Sequence, residues 1–140
     1  MSANVITTII RRVQSPNIMQ KPTEQGTATT VNFLAEQDGS PERDLKRMLA
    51  DTFARLGSVK AAYLARVDYG RPSERHVALC IVTDEADPVE VVEAASSVFQ
   101  SMFNSGAHVD ILPLSEAEES RISLVCRPFF TCKVHKLSMM

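Results

Sequence analysis

The chain has 140 residues, with 15 Lys plus Arg against 17 Asp plus Glu and three cysteines. That length suits one domain able to bury its own core. A net charge of −2 gives the molecule no long-range attraction for nucleic acid or anionic membrane, and the odd cysteine count, with Cys80 inside an apolar run, argues against a secreted disulfide framework. No stretch approaches the roughly twenty apolar residues that cross a bilayer. The apolar run from Val5 to Ile10 precedes Arg11 and Arg12, the reverse of an export signal. A cytoplasmic location with reduced thiols is expected.

Residues 1–29, rich in Thr, Ser, Gln and Pro, read as an N-terminal arm, with Val5 to Val13 apolar enough for a strand or short helix. Val31 to Glu36 fits a first strand of the domain proper. A helix follows Gly39: Ser40 serves as N-cap, Pro41 opens the first turn, and Leu45, Met48, Leu49, Phe53 and Leu56 recur at helical spacing up to Gly57. Its outer face carries Arg43, Lys46, Arg47, Asp51 and Arg55. Val59 to Asp68 and His76 to Thr83 are both apolar enough to lie deep in a sheet and form a long hairpin.

Asp87-Pro88-Val89-Glu90 reads as a capping box opening a helix through Val91, Val92, Ala95, Phe99, Met102 and Phe103, stopped by Gly106. Ala107 to Leu112 is the last strand, with Val109 and Ile111 on one face and His108 and Asp110 on the other. Ser115-Glu116-Ala117-Glu118 starts a short C-terminal helix to about Val125, and Arg127-Pro128-Phe129-Phe130 returns extended. Residues 131–140 form a tail. The β-α-β-β-α-β order predicts an α+β, ferredoxin-like sandwich over residues 30–130, with two helices on one face of an antiparallel sheet.

The opposite sheet face would carry Leu34, Leu64, Arg66, His76, Ala78, Cys80, Val82, His108 and Asp110, too apolar to stand open to water. The N-terminal arm, the Pro128–Phe130 return, a second copy or a ligand are the available covers.

Several groups carry potential chemistry. Strand Val77 to Val82 holds no aromatic residue and no cation, so base stacking on the sheet has no platform and nucleic acid is excluded as a partner. Cys126, Cys132 and His135 are spaced C-x5-C-x2-H, a poor match to the tight turns of structural zinc, and no metal is expected. His108 and Asp110 share a face at about 7 Å along the strand, with His76 able to join them; a surface hydrogen bond is the simpler role for a pair without a nucleophile. Arg71, Arg75 and Arg66 around the hairpin are forked donors for a phosphate or carboxylate, on a loop that reads as solvated. No phosphate-binding glycine loop, nucleophile elbow or zinc-protease motif occurs, so neither a cofactor nor a catalytic residue is assigned.

Charge is segregated: residues 76–120 hold nine acids and no Lys or Arg, and residues 121–136 hold four basic residues and no acid. Solvated faces are the default for such runs, and self-association or an oppositely charged partner is the alternative.

Val59 to Ala65 with Tyr63, the hairpin into His76 to Val82, Val109-Asp110-Ile111 and Arg127-Pro128-Phe129-Phe130 together resemble the C-terminal domain of the SseB, or enhanced serine sensitivity, family. The resemblance covers roughly residues 30–130 and implies a fold without an established active site. It makes Tyr63, Val109, Asp110, Pro128, Phe129 and Phe130 structural signatures, the aromatics packing on the sheet. The expected function is a non-enzymatic protein-binding or regulatory module that engages a protein partner or itself. The alternatives are an amino-acid sensor acting through a dimer, on the analogy of other regulatory domains, and an enzyme using the His108/Asp110 face.

Overall fold

The computed structural model describes residues 8–14, 23–28, 30–85, 88–103 and 107–132. Its elements run β1 (Thr8–Gln14), β2 (Thr23–Ala28), β3 (Asn32–Glu36), α1 (Ser40–Leu56), β4 (Val59–Asp68), β5 (His76–Thr83), α2 (Val89–Met102), β6 (His108–Pro113), α3 (Glu116–Ile122) and β7 (Phe130–Thr131). All seven strands join one mixed sheet in the order β2-β1-β6-β5-β4-β3, with β7 paired to β4.

This order corrects the ferredoxin-like expectation. In the split β-α-β plan β3 would lie between β6 and β5, and β4 would be an edge strand. Instead β3 pairs antiparallel with β4, and β5 lies parallel to β6. The reason is in β4 itself: nine of its ten residues are at least partly buried and eight fully so, so both its edges need partners to satisfy their backbone groups. It takes β5 along one edge and β3 and β7 along the other. The sheet is consequently mixed rather than antiparallel, and α2 is a crossover between parallel neighbours while α1 links antiparallel ones.

Both expected helices do cover one face. Leu45, Leu49 and Phe53 of α1 and Val91, Val92, Ala95 and Phe99 of α2 pack on Val13, Ala62, Leu64, Leu79, Ile81, Val109 and Ile111. Leu64 therefore belongs to this face and not to the opposite one, and Arg66, two residues on in the same unbroken ladder, follows it. Met48, expected inward, is 44% exposed: Leu45, Leu49 and Phe53 fill the helix's buried side, and Met48 falls on the flank.

Helix α1 follows an N-cap position at Gly39, and no side chain caps it, so Ser40 is the first helical residue and not the cap. Its C-cap is Gly57, at φ 79°, whose N–H reaches the Phe53 carbonyl at 3.1 Å. The capping box expected before α2 includes Asp87, which lies outside the described residues; Pro88 occupies the N-cap position without a side-chain bond. Helix α3 has a full capping box, Ser115 accepting from the Glu118 N–H at 3.2 Å and Glu118 accepting from the Ser115 N–H at 2.9 Å.

The second sheet face carries Ala61, Tyr63, Ala65, Val67, Ala78, Cys80 and Leu112, and α3 with the turn after it covers them through Ile122 and Cys126. The chain thus covers its own apolar face, by the short C-terminal helix. The Phe129–Phe130 return packs on the other side, beside α1: Phe53 lies 6.5 Å from Phe129 and 5.9 Å from Phe130, the latter edge to face. Strands β1 and β2, from the segment read as an arm, extend the sheet beyond β6. The tail from residue 133 lies outside the described residues.

Candidate functional site

At the end of the sheet where β4 turns into β5, five polar side chains converge from three strands and the turn after β4. Arg12 on β1 stands directly opposite Asp110 on β6 in their antiparallel register. Ala78 on β5 is level with Asp110 on its other side, so the same parallel ladder brings His76 beside His108, one repeat earlier on that face. Tyr69, just past the end of β4, folds over them.

Asp110 is the centre, with 0% exposure. A buried carboxylate is tolerated only when paired and hydrogen-bonded. Arg12 provides the pair in forked geometry, Nε donating to Oδ1 at 2.6 Å and Nη2 to Oδ2 at 3.0 Å, and the Tyr69 hydroxyl donates to Oδ2 at 2.5 Å. Burial, followed by the Asp110 carboxylate, drives the Tyr69 pKa far up, so this phenol stays a donor.

His76 stacks on the Tyr69 ring at 5.1 Å and 27°, and lies 6.1 Å from the His108 ring at 55°. Its Nδ1 meets Arg12 Nη2 at 3.4 Å. Because a guanidinium only donates, Nδ1 is the acceptor and the neutral ring carries its proton on Nε2. Burial lowers the His108 pKa, the positive charge of Arg12 lowers it further, and Asp110 opposes both.

Chemically this is a closed network. Asp110 has no exposed oxygen and faces three donors, which leaves it nothing to offer a substrate as base or nucleophile. Arg12, whose side chain is 32% exposed, and the two imidazoles form the part that meets solvent.

The other sequence-derived candidates are elsewhere. Arg66 reaches Gln37 Oε1 at 3.2 Å on the helix-covered side of the sheet. Arg71 and Arg75 are exposed in the hairpin turn, Arg71 pairing with Glu74 at 3.3 Å; neither joins the cluster. That turn is organised by Asp68, whose Oδ1 accepts from Asn32 Nδ2 at 2.8 Å and the Gly70 N–H at 3.0 Å; these bonds, the Asn32 one largest, lower its pKa. Tyr63 is buried under α3 and donates to Glu119 Oε2 at 3.1 Å, its pKa pushed up to about 12 by burial and that carboxylate. Val109 faces the helices, and the Phe129 N–H bonds the Ala62 carbonyl at 2.9 Å.

Among the described residues no three His, Cys, Asp or Glu side chains are grouped to hold a metal ion. Cys126 donates to the Leu64 carbonyl at 3.5 Å, and His135 of the C-x5-C-x2-H pattern lies outside the described residues. Among those residues, too, no helix is long and apolar enough to cross a membrane.

Sequence reasoning missed Arg12 and Tyr69. The signal for Arg12 was a pair of cations inside an otherwise apolar strand pattern, Ile9-Ile10-Arg11-Arg12-Val13, in a chain whose last strand holds an acid among apolar neighbours.

No curated protein and no solved structure matches the chain. A family model described as the SseB protein C-terminal domain matches residues 34–131, the span from β3 to β7, with β1 and β2 lying before it. The chain belongs to the SseB C-terminal domain family.

Proposed function

We propose that this chain is a non-enzymatic protein-binding or regulatory module that engages a protein partner, or a second copy of itself, through its charged helix surfaces. The observation that carries the reading is the outward stripe of α1. Asp44, Met48, Asp51 and Arg55 follow one another at helical spacing, all exposed, with Arg43 and Arg47 alongside. A large flexible apolar side chain exposed on a helix whose outer surface also carries arginines is a composition favoured in protein interfaces.

Two further points support it. The groups best suited to acid–base chemistry, Asp110 and Tyr69, are committed to each other and to Arg12. Helix α2 presents Glu90 and Glu93 to solvent, a surface of sign opposite to the arginines of α1. Among the described residues the apolar clusters of both sheet faces are packed under the chain's own helices, and the helix exteriors carry exposed charge.

The test is affinity capture with the full chain beside Arg55→Glu and Glu93→Lys variants, with light scattering on each. A stoichiometric partner or a dimer that either reversal removes supports the proposal. A monomer whose captured proteins are the same for all three chains overturns it.

A further inference from the structure

We propose that His76 and His108 make the docking of the β1–β2 hairpin onto β6 pH-dependent, the hairpin leaving the sheet edge when these imidazoles are protonated. The inference rests on what Arg12 does. Beyond the backbone ladder, β1 is tied to β6 by the Arg12–Asp110 pair, and the same guanidinium that grips Asp110 also donates to the Nδ1 of His76.

That second contact exists only while Nδ1 is unprotonated. Adding a proton there turns an acceptor into a donor and sets an imidazolium against a guanidinium at 3.4 Å. His108, 6.1 Å from His76 on the next strand, would place a further positive charge beside the first. Each imidazolium is also a rival donor for Asp110, whose two oxygens both accept from Arg12. Protonation therefore repels Arg12 and competes for its partner together.

The remaining groups around His76 do not cancel this. From just past the end of β4, Tyr69 lies against the ring and stays protonated, and Asp68, the last residue of β4, is committed to Asn32 and the Gly70 N–H. Arg75, the preceding residue, adds positive charge. From β6, Asp110 would favour an imidazolium, but at the expense of its bonds to Arg12.

The β1–β2 hairpin is a separable unit in the sheet: it precedes the family-matched span and holds the β6 edge as the terminal pair of strands. Its release would uncover that edge, with Asp110 at its middle, to any other extended segment.

The experiment is amide exchange by NMR on the full chain at pH 7.5 and 5.5, expressed as protection factors. Protection of Arg11 to Val13 should fall by about tenfold or more while that of Leu64 and Ala65 in β4 holds. A His76→Asn, His108→Gln double variant, which keeps an acceptor near Arg12 without titrating, should retain β1 protection at both pH values. In the wild type, with no substitution involved, the midpoint of β1 loss should match the titration of the His76 or His108 ring protons. Unchanged β1 protection, equal loss in β1 and β4, or the same loss in the double variant would each overturn the proposal.

Discussion

Arg12 and Asp110 face each other across β1 and β6, so one ion pair both neutralises a fully buried carboxylate and fixes the register of the N-terminal strand. A one-residue slip would move Arg12 to the other sheet face and leave Asp110 charged and unpaired. Removing Arg12 alone, as Arg12→Ala, should therefore cost about 2–4 kcal/mol, somewhat below the usual figure for a broken buried pair because the guanidinium is partly wet. Adding Asp110→Asn to that variant should recover a large part of the loss. Urea unfolding measures both; a single variant within about 0.5 kcal/mol of wild type would show that the pair contributes little.

How much of this was readable beforehand follows from what each signal encodes. Periodicity located α1, the β4–β5 hairpin and β6, because alternation and helical spacing are local properties of the residues. The Ser115–Glu118 box set the start of α3 for the same reason. Strand order was not readable, since Val59 to Asp68 looks equally apolar at an edge or in the centre. Only the requirement that both its edges be paired puts it inside. Asp110 was seen as a polar residue on a strand face, but its meaning depended on Arg12, 98 residues away, a distance no local pattern spans. Arg66 was misplaced because a one-residue error in face assignment along β4 moves every side chain to the other side.

The Phe53–Phe130 contact predicts that the C-terminal return is part of the core. Phe130 is half-buried and meets Phe53 edge to face at 5.9 Å. Phe130→Ala should cost about 2–3 kcal/mol, less than a fully buried phenylalanine. Leu124→Ala, removing a side chain from a residue 83% exposed, should stay within about 0.5 kcal/mol. Equal effects in chemical denaturation would mean that β7 is not packed as described.

At Gly57 the backbone, rather than space, forbids a side chain. At φ 79° it lies in the left-handed region, and a Cβ there would meet nothing within 4 Å. Gly57→Ala should thus lower stability by about 1 kcal/mol through strain alone, and Gly57→Asn by less. A gain in stability for the alanine variant would show that the cap adopts another conformation.

The thiols should separate by burial. Cys80 is fully enclosed and its pKa is raised well above the ordinary thiol value by desolvation; Cys126 is pushed up to about 11, again by burial first. Neither offers thiolate near neutral pH, and nucleophilic attack requires it. Cys132 is half-buried at the end of β7. Maleimide labelling of the native chain at pH 7.5, read by mass, should add one group rapidly at Cys132 and the other two only in denaturant. Fast native labelling of Cys80 would contradict the packing of α3 on the sheet.

His108 sets the direction of one part of the acid response. Its folded-state pKa lies below the ordinary 6.5, chiefly through desolvation and then through Arg12. As pH falls through about 6.5 the unfolded chain takes up this proton and the folded chain does not, so the unfolded state binds more protons and stability falls with falling pH. The loss accumulates between the unfolded and folded values and is absent above them, where both states are neutral. Urea midpoints of wild type and His108→Gln at pH 7.5, 6.5 and 5.5 test this. The wild type should lose more stability than the variant across that range. Parallel decline of the two would assign the acid sensitivity of this range to groups other than His108, and not to the carboxylates Glu36, Asp38 and Asp68. Their lowered values make stability present above the ordinary carboxylate range and lost only at lower pH.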